Sequence, residues 1–134
     1  MLSRIAVSLF ILFVAFFSVT VRADDASPAR ASKIISFESE AQIQALAKDG
    51  PTVVFFFATW CPNCKAAALE FSTKWVEVRP GIALVVADYD KQTALKTKYG
   101  VTYQDTYVLV GADGGKRKLW NSGGIAALNA NAVD

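Results

Sequence analysis

The segment TVVFFFA (52–58) carries no charge and shows no alternation of apolar and polar residues. A strand with one face in water alternates, so a run without alternation predicts a strand covered on both faces. Three residues beyond it comes Cys61 and, three further on, Cys64, the only cysteines in the chain. From there the period changes. Ala68, Phe71, Trp75 and Val78 recur at helical spacing until Pro80 and Gly81 break the element. A buried strand therefore hands over to a helix at the cysteine pair.

The rest of the chain fits that frame. KIISF (33–37) is a strand candidate, and Ser39 can cap a helix over EAQIQALAK (40–48), whose Ile43, Leu46 and Ala47 share a face. Asp49-Gly50-Pro51 stops it. IALVVADYD (82–90) reads as a second buried strand, and QTALKTKYG (92–100) as a short helix ending on glycine. TYVLVGADGGKRKLW (106–120) predicts a hairpin turning over Gly111 to Gly115, and IAALNAN (125–131) a final helix. The order βαβαβαββα predicts an α/β fold: a central sheet with helices on both faces, made mixed by the hairpin.

The 134 residues suit one domain. Residues 1–23 are set apart: Arg4 precedes the uncharged, apolar IAVSLFILFVAFFSVTV (5–21), and VRA (21–23) ends it as a signal peptidase site would. A cleaved signal peptide with a mature start at Asp24 is expected. The alternative is a retained anchor, for which seventeen apolar residues stand at the short end of the roughly 17–25 that span a bilayer. Both readings export the domain, to the periplasm, a secretory lumen or the exterior, where cysteine pairs can exist as disulfides. Residues 24–32, DDASPARAS, read as a flexible leader and 33–134 as the domain. Arg4 and Arg22 account for the net charge of +2. The remaining charges balance, no basic stripe argues for nucleic acid, and KRK (116–118) reads as a solvated strand start. A monomer is expected, touching a membrane only if the N-terminal segment is retained.

With no histidine in the chain, Ser-His and Cys-His catalysis and imidazole metal sites are excluded. Three uses of the cysteines remain. A structural disulfide closing so short a loop stabilises little, and a zinc site lacks its second pair of ligands. Redox chemistry fits the position better. Cys61 falls at the N-terminus of the helix, among unpaired N–H groups that favour a thiolate, and Cys64 lies one turn on. Pro62 suits the first helical turn, and Lys65 adds positive charge nearby.

TWCPNCK (59–65), following PTVVFFFA, resembles the active-site segment of the thioredoxin superfamily, and the resemblance runs from about Ile34 to Gly124 through DYD…KYGV (88–101). It implies a thioredoxin-like fold and a protein-disulfide oxidoreductase, with Cys61 the exposed nucleophile and Cys64 the resolving cysteine. Trp60 would shape the docking surface, and Pro62 and Asn63 would tune the couple. No cofactor or metal beyond the redox-active pair is implied. The partners would be protein thiols and disulfides with an upstream redox partner. Whether the pair reduces or oxidises its substrates is left open.

Three positions depart from the family pattern. The cis-proline that usually precedes a threonine opposite the cysteines is replaced by Asp105, before Thr106. A trans peptide is expected there, because a non-proline cis bond costs about 2.5–4 kcal/mol. That changes the loop through which Asp105 and Thr106 would meet substrate backbone. Asp105 either faces the sulfurs, where its charge opposes the helix dipole, or is a solvated loop residue. The buried acid of thioredoxins is replaced by Phe55, and its companion lysine by Val86, which leaves the proton route to Cys64 to water or Asp105. The rival reading is a thioredoxin-fold binding module holding a soft metal such as Cu(I) through two thiolates.

Overall fold

The computed structural model describes residues 30–133. The expected signal segment and most of the leader lie outside the described residues. The elements run β1 (Lys33–Ser36), α1 (Glu40–Asp49), β2 (Thr52–Phe57), α2 (Pro62–Lys74), a 3₁₀ turn (Trp75–Glu77), β3 (Ala83–Asp88), α3 (Thr93–Tyr99), β4 (Thr106–Val110), β5 (Lys116–Asn121) and α4 (Gly124–Asn131). The five strands form one sheet in the order β1-β3-β2-β4-β5. β1 and β2 run parallel to β3, while β4 is antiparallel to β2 and β5 to β4. The sheet is mixed, as the hairpin requires.

The non-alternating strand lies at the centre, and its two sets of side chains feed two cores. Val53 and Phe55 join Leu84, Tyr107 and Leu109 under α2 and α4. Val54 and Phe56 join Val85 and Val108 under α1 and α3. β5, at the sheet edge, is exposed at nearly every position. Its Lys116, Arg117 and Lys118 protect an unpaired edge from further strand addition.

Capping follows the sequence closely. Ser39 Oγ accepts the Gln42 N–H at 3.2 Å, and Gly100, left-handed at φ 71°, closes α3. The helix after the cysteines is shorter than its apolar spacing suggests. α2 stops at Lys74, and the chain tightens into the 3₁₀ turn, with Val78 N–H donating to Trp75 O. The buried stripe of α2 is Cys64, Ala67 and Phe71, one residue out of phase with the expected Ala68. Cys64 at the helix start fixes that phase.

Arg30, in the segment expected as a leader, is tied to the domain. Its guanidinium donates to Gly81 O at 2.8 Å, Leu46 O at 2.7 Å, Pro51 O at 2.8 Å and Thr52 Oγ1 at 3.1 Å. These acceptors join the end of α1, the start of β2 and the turn before β3. Arg30→Ala leaves three half-buried carbonyls short of a charged donor and is expected to cost about 1–3 kcal/mol in urea unfolding. A change below about 0.5 kcal/mol would mean that water replaces the guanidinium.

Candidate active site

β2 delivers the chain to Ala58, whose carbonyl accepts the Cys61 N–H at 3.2 Å. This tight turn places Cys61 at the N-cap of α2, in extended backbone geometry, with Pro62 at the first helical position. Lys65 N–H then donates to Cys61 O at 3.1 Å, the first bond of the helix. The Cys61 side chain caps as serine would: Sγ accepts the Cys64 N–H at 3.1 Å. Both cysteines are free thiols.

The exposed nucleophile expected at Cys61 is a correction: the residue is only 2% exposed, and Cys64 is fully buried. The N-cap bond draws the Cys61 sulfur back toward the helix, into the cluster that holds Ala58, Phe55 and Tyr107. Cys64 lies in the same cluster. Its thiol is pushed up to about 12 by burial first, then by the Cys61 side chain, with the charge of Asp105 adding to both.

The other expected site residues flank the pair. Trp60 is half exposed, and its indole N–H donates to Asp90 Oδ2 at 2.8 Å while its ring meets Tyr89 edge-on. Pro62 and Asn63 are exposed on the first turn of α2. Lys65 points to solvent as well. Thr106 is buried, with its hydroxyl donating to Tyr103 O at 2.7 Å and accepting from Asn121 Nδ2.

Asp105 is not a solvated loop residue. It is 4% exposed and left-handed at φ 57°. The peptide is trans, as the cost of the alternative predicts: there are no cis bonds among the described residues. Its backbone is consumed internally, the N–H on Phe56 O at 3.0 Å and the C=O on Ser122 N–H at 2.9 Å. Its carboxylate accepts from Ser122 Oγ at 2.6 Å and from Tyr107 Oη at 3.3 Å. Ser122, at φ 63°, is the other non-glycine residue with positive φ among the described residues. The two strained residues thus bond to each other beside the cysteines, an arrangement that persists only where its surroundings hold it.

Tyr107 and Ser122 were not legible as site residues. Tyr107 lies in the apolar strand Thr106–Val110, where the sequence reads it as core, and only the left-handed turn at Asp105 brings its hydroxyl to that carboxylate. Ser122 carries no local signal. Burial, reinforced by the charge of Asp105, holds the Tyr107 hydroxyl above its usual range, so it acts as a donor. Among the described residues no cluster of three or more His, Cys, Asp or Glu side chains could hold a metal ion. No described helix is long and apolar enough to cross a membrane.

Residues 33–129 match the family model for thioredoxin. Over 80 residues, 58% of this chain and 70% of the relative, the chain is 35% identical to thioredoxin Asp f 28 of Aspergillus fumigatus. Among solved structures it is similar to mitochondrial thioredoxin 3 of Saccharomyces cerevisiae in its oxidised form, at 27% identity and TM-score 0.59, covering 74% of this chain and 92% of that one. It shares its fold with Trxlp of Edwardsiella tarda, at 23% identity and TM-score 0.61, covering 76% of this chain and all of that one.

Proposed function

The chain belongs to the thioredoxin family, and from that premise we propose that it is an exported thiol–disulfide oxidoreductase acting on protein substrates through Cys61 and Cys64. Members of this family are disulfide oxidoreductases. The observation that carries the reading is the placement of two thiols one helical turn apart at a strand-to-helix junction, with the first sulfur accepting the second residue's N–H. In the reducing direction the Cys61 sulfur attacks a substrate disulfide, forming one S–S bond as another breaks. The Cys64 sulfur then attacks Cys61, closing the intramolecular disulfide and releasing the second substrate thiol. Two electrons pass from the protein to the substrate, and an upstream redox partner must return them. The oxidising direction is the reverse.

Trp60 and the exposed Pro62 and Asn63 form the surface that a substrate meets first, beside a nucleophile that docking must uncover. With the Asp105 backbone already bonded, its amide and carbonyl are closed to a substrate strand. Export rests on residues 1–23. The test is equilibration of protein recovered from the exported fraction, expected to begin at Asp24, with glutathione buffers. A single potential is expected. A value near the roughly −270 mV of reducing thioredoxins makes the protein a reductant, and one near the roughly −120 mV of strong oxidants a disulfide donor. A couple that never equilibrates sinks the enzyme and leaves the soft-metal module.

A further inference from the structure

The Cys64 thiol is fully buried and ionises with difficulty, yet it must lose its proton before its sulfur can attack the mixed disulfide. The strand position from which thioredoxins supply an acid is here Phe55, packed among aromatic rings. The ionisable groups facing this region are Cys61, Cys64 and Glu70 from α2, Asp105 from the loop before β4, and Tyr107 from β4. Tyr107 is held as a donor. Glu70 lines the same pocket as Asp105 but lies against Gly124 of α4, and its charge is not among those that bear on Cys64. Asp105 is the carboxylate whose charge bears on both Cys64 and Tyr107.

Asp105 also has an outlet. It lines a pocket of about 300 Å³ with Asn63, Ala66, Glu70, Ser122 and Gly123, open to solvent beside α2. The Tyr107 and Ser122 hydroxyls hold its two oxygens separately, one each, and Tyr107 shares one buried cluster with Cys61 and Cys64, so the carboxylate is tied to the side chain that packs with the cysteines while it lines the pocket.

We propose that Asp105 is the proton-exchange residue for Cys64, standing in the loop before β4 in place of an acid in the central strand. This rests on the thiol–disulfide reading above. As Cys64 Sγ attacks Cys61 Sγ, its proton passes to the Asp105 carboxylate, directly or through one water from the pocket. The Cys61–Cys64 bond forms, the bond from Cys61 to the substrate sulfur breaks, and the substrate leaves as a thiolate that takes its proton from solvent. Asp105 then releases the proton to water through the pocket. In the reverse direction it returns a proton to Cys64.

Rapid mixing of the reduced full chain with dipyridyl disulfide separates this step from the chemistry it depends on. The first pyridinethione released reports attack by Cys61, and the second reports attack by Cys64. In Asp105→Asn the first release is expected to be unchanged. The second is expected to slow at least about tenfold at neutral pH, the lower edge of what a positioned base contributes. It should then climb with hydroxide as the pH rises toward the ionisation of Cys64. Asparagine tolerates the left-handed conformation, and Asp105→Gly gives the same reading should that variant not fold. A role for Asp105 as a charge alone predicts the opposite sign, because removing a negative charge eases Cys64 ionisation and speeds the second release. A second release that is faster or unchanged in the variant overturns the proposal while leaving the oxidoreductase intact. The absence of any first release in the unsubstituted protein overturns both.

Discussion

Cys61→Ser is expected to lower disulfide exchange by at least about 10³-fold, the scale on which removing a nucleophile acts, without unfolding the protein. The side chain at this position does two jobs. As a sulfur it attacks, and as an N-cap it accepts the Cys64 N–H. Serine performs the second job at least as well, so the loss falls on chemistry and not on the helix. Cys64→Ser should behave differently. Cys61 keeps its sulfur and can still form a mixed disulfide, but the group that would displace the substrate is gone. The partner should therefore accumulate as a covalent adduct, visible as a mass increase that a reductant removes. Exchange at the parent rate in Cys61→Ser, measured as turnover of a disulfide-bonded protein substrate, would end the oxidoreductase reading. An adduct formed by Cys61→Ser and not by Cys64→Ser would reverse the two roles.

How far the site could be read in advance follows from the range of its contacts. The strand-to-helix junction is local, and the run TVVFFFA, the cysteine spacing and Pro62 announce it together. The placement of α1 between Ser39 and Gly50 is local too. What stayed hidden depends on chain segments that meet only in three dimensions. Asp105 reads as an even choice between solvent and sulfurs until β5 returns to bring Ser122 and Asn121 against it. Arg30 looks like leader because its partners, Leu46 in α1, Pro51 before β2 and Gly81 before β3, are scattered along the chain. The burial of Cys61 was missed for a different reason. The resemblance supplied an exposed sulfur, whereas the capping bond in this chain pulls it inward.

Phe55→Asp, which puts an acid back on the central strand, is expected to destabilise the protein more than Phe55→Ala, itself expected to cost about 3–5 kcal/mol. Phe55 pairs with Tyr107 across β2 and β4, and Tyr107 with Trp120 across β4 and β5. Their rings stack in sequence, with centroids 4.4 Å and 5.5 Å apart and planes 6° and 8° from parallel. Phe57 and Phe71 meet the Phe55 ring edge-on, each at 5.9 Å. Alanine leaves a cavity at the end of this ladder. Aspartate leaves the same cavity and adds a carboxyl with apolar rings around it, and an unpaired buried charge is worse than a void. Unfolding in urea, monitored by tryptophan fluorescence, should place the variants in the order parent, alanine, aspartate. The stack also explains why the acid stands elsewhere. Tyr107 contributes its face to the ladder and its hydroxyl to Asp105, so one residue joins the aromatic replacement of the strand acid to the carboxylate in the loop. An aspartate variant as stable as the parent near neutral pH would show that the strand still accommodates an acid. The move to Asp105 would then have no packing cause.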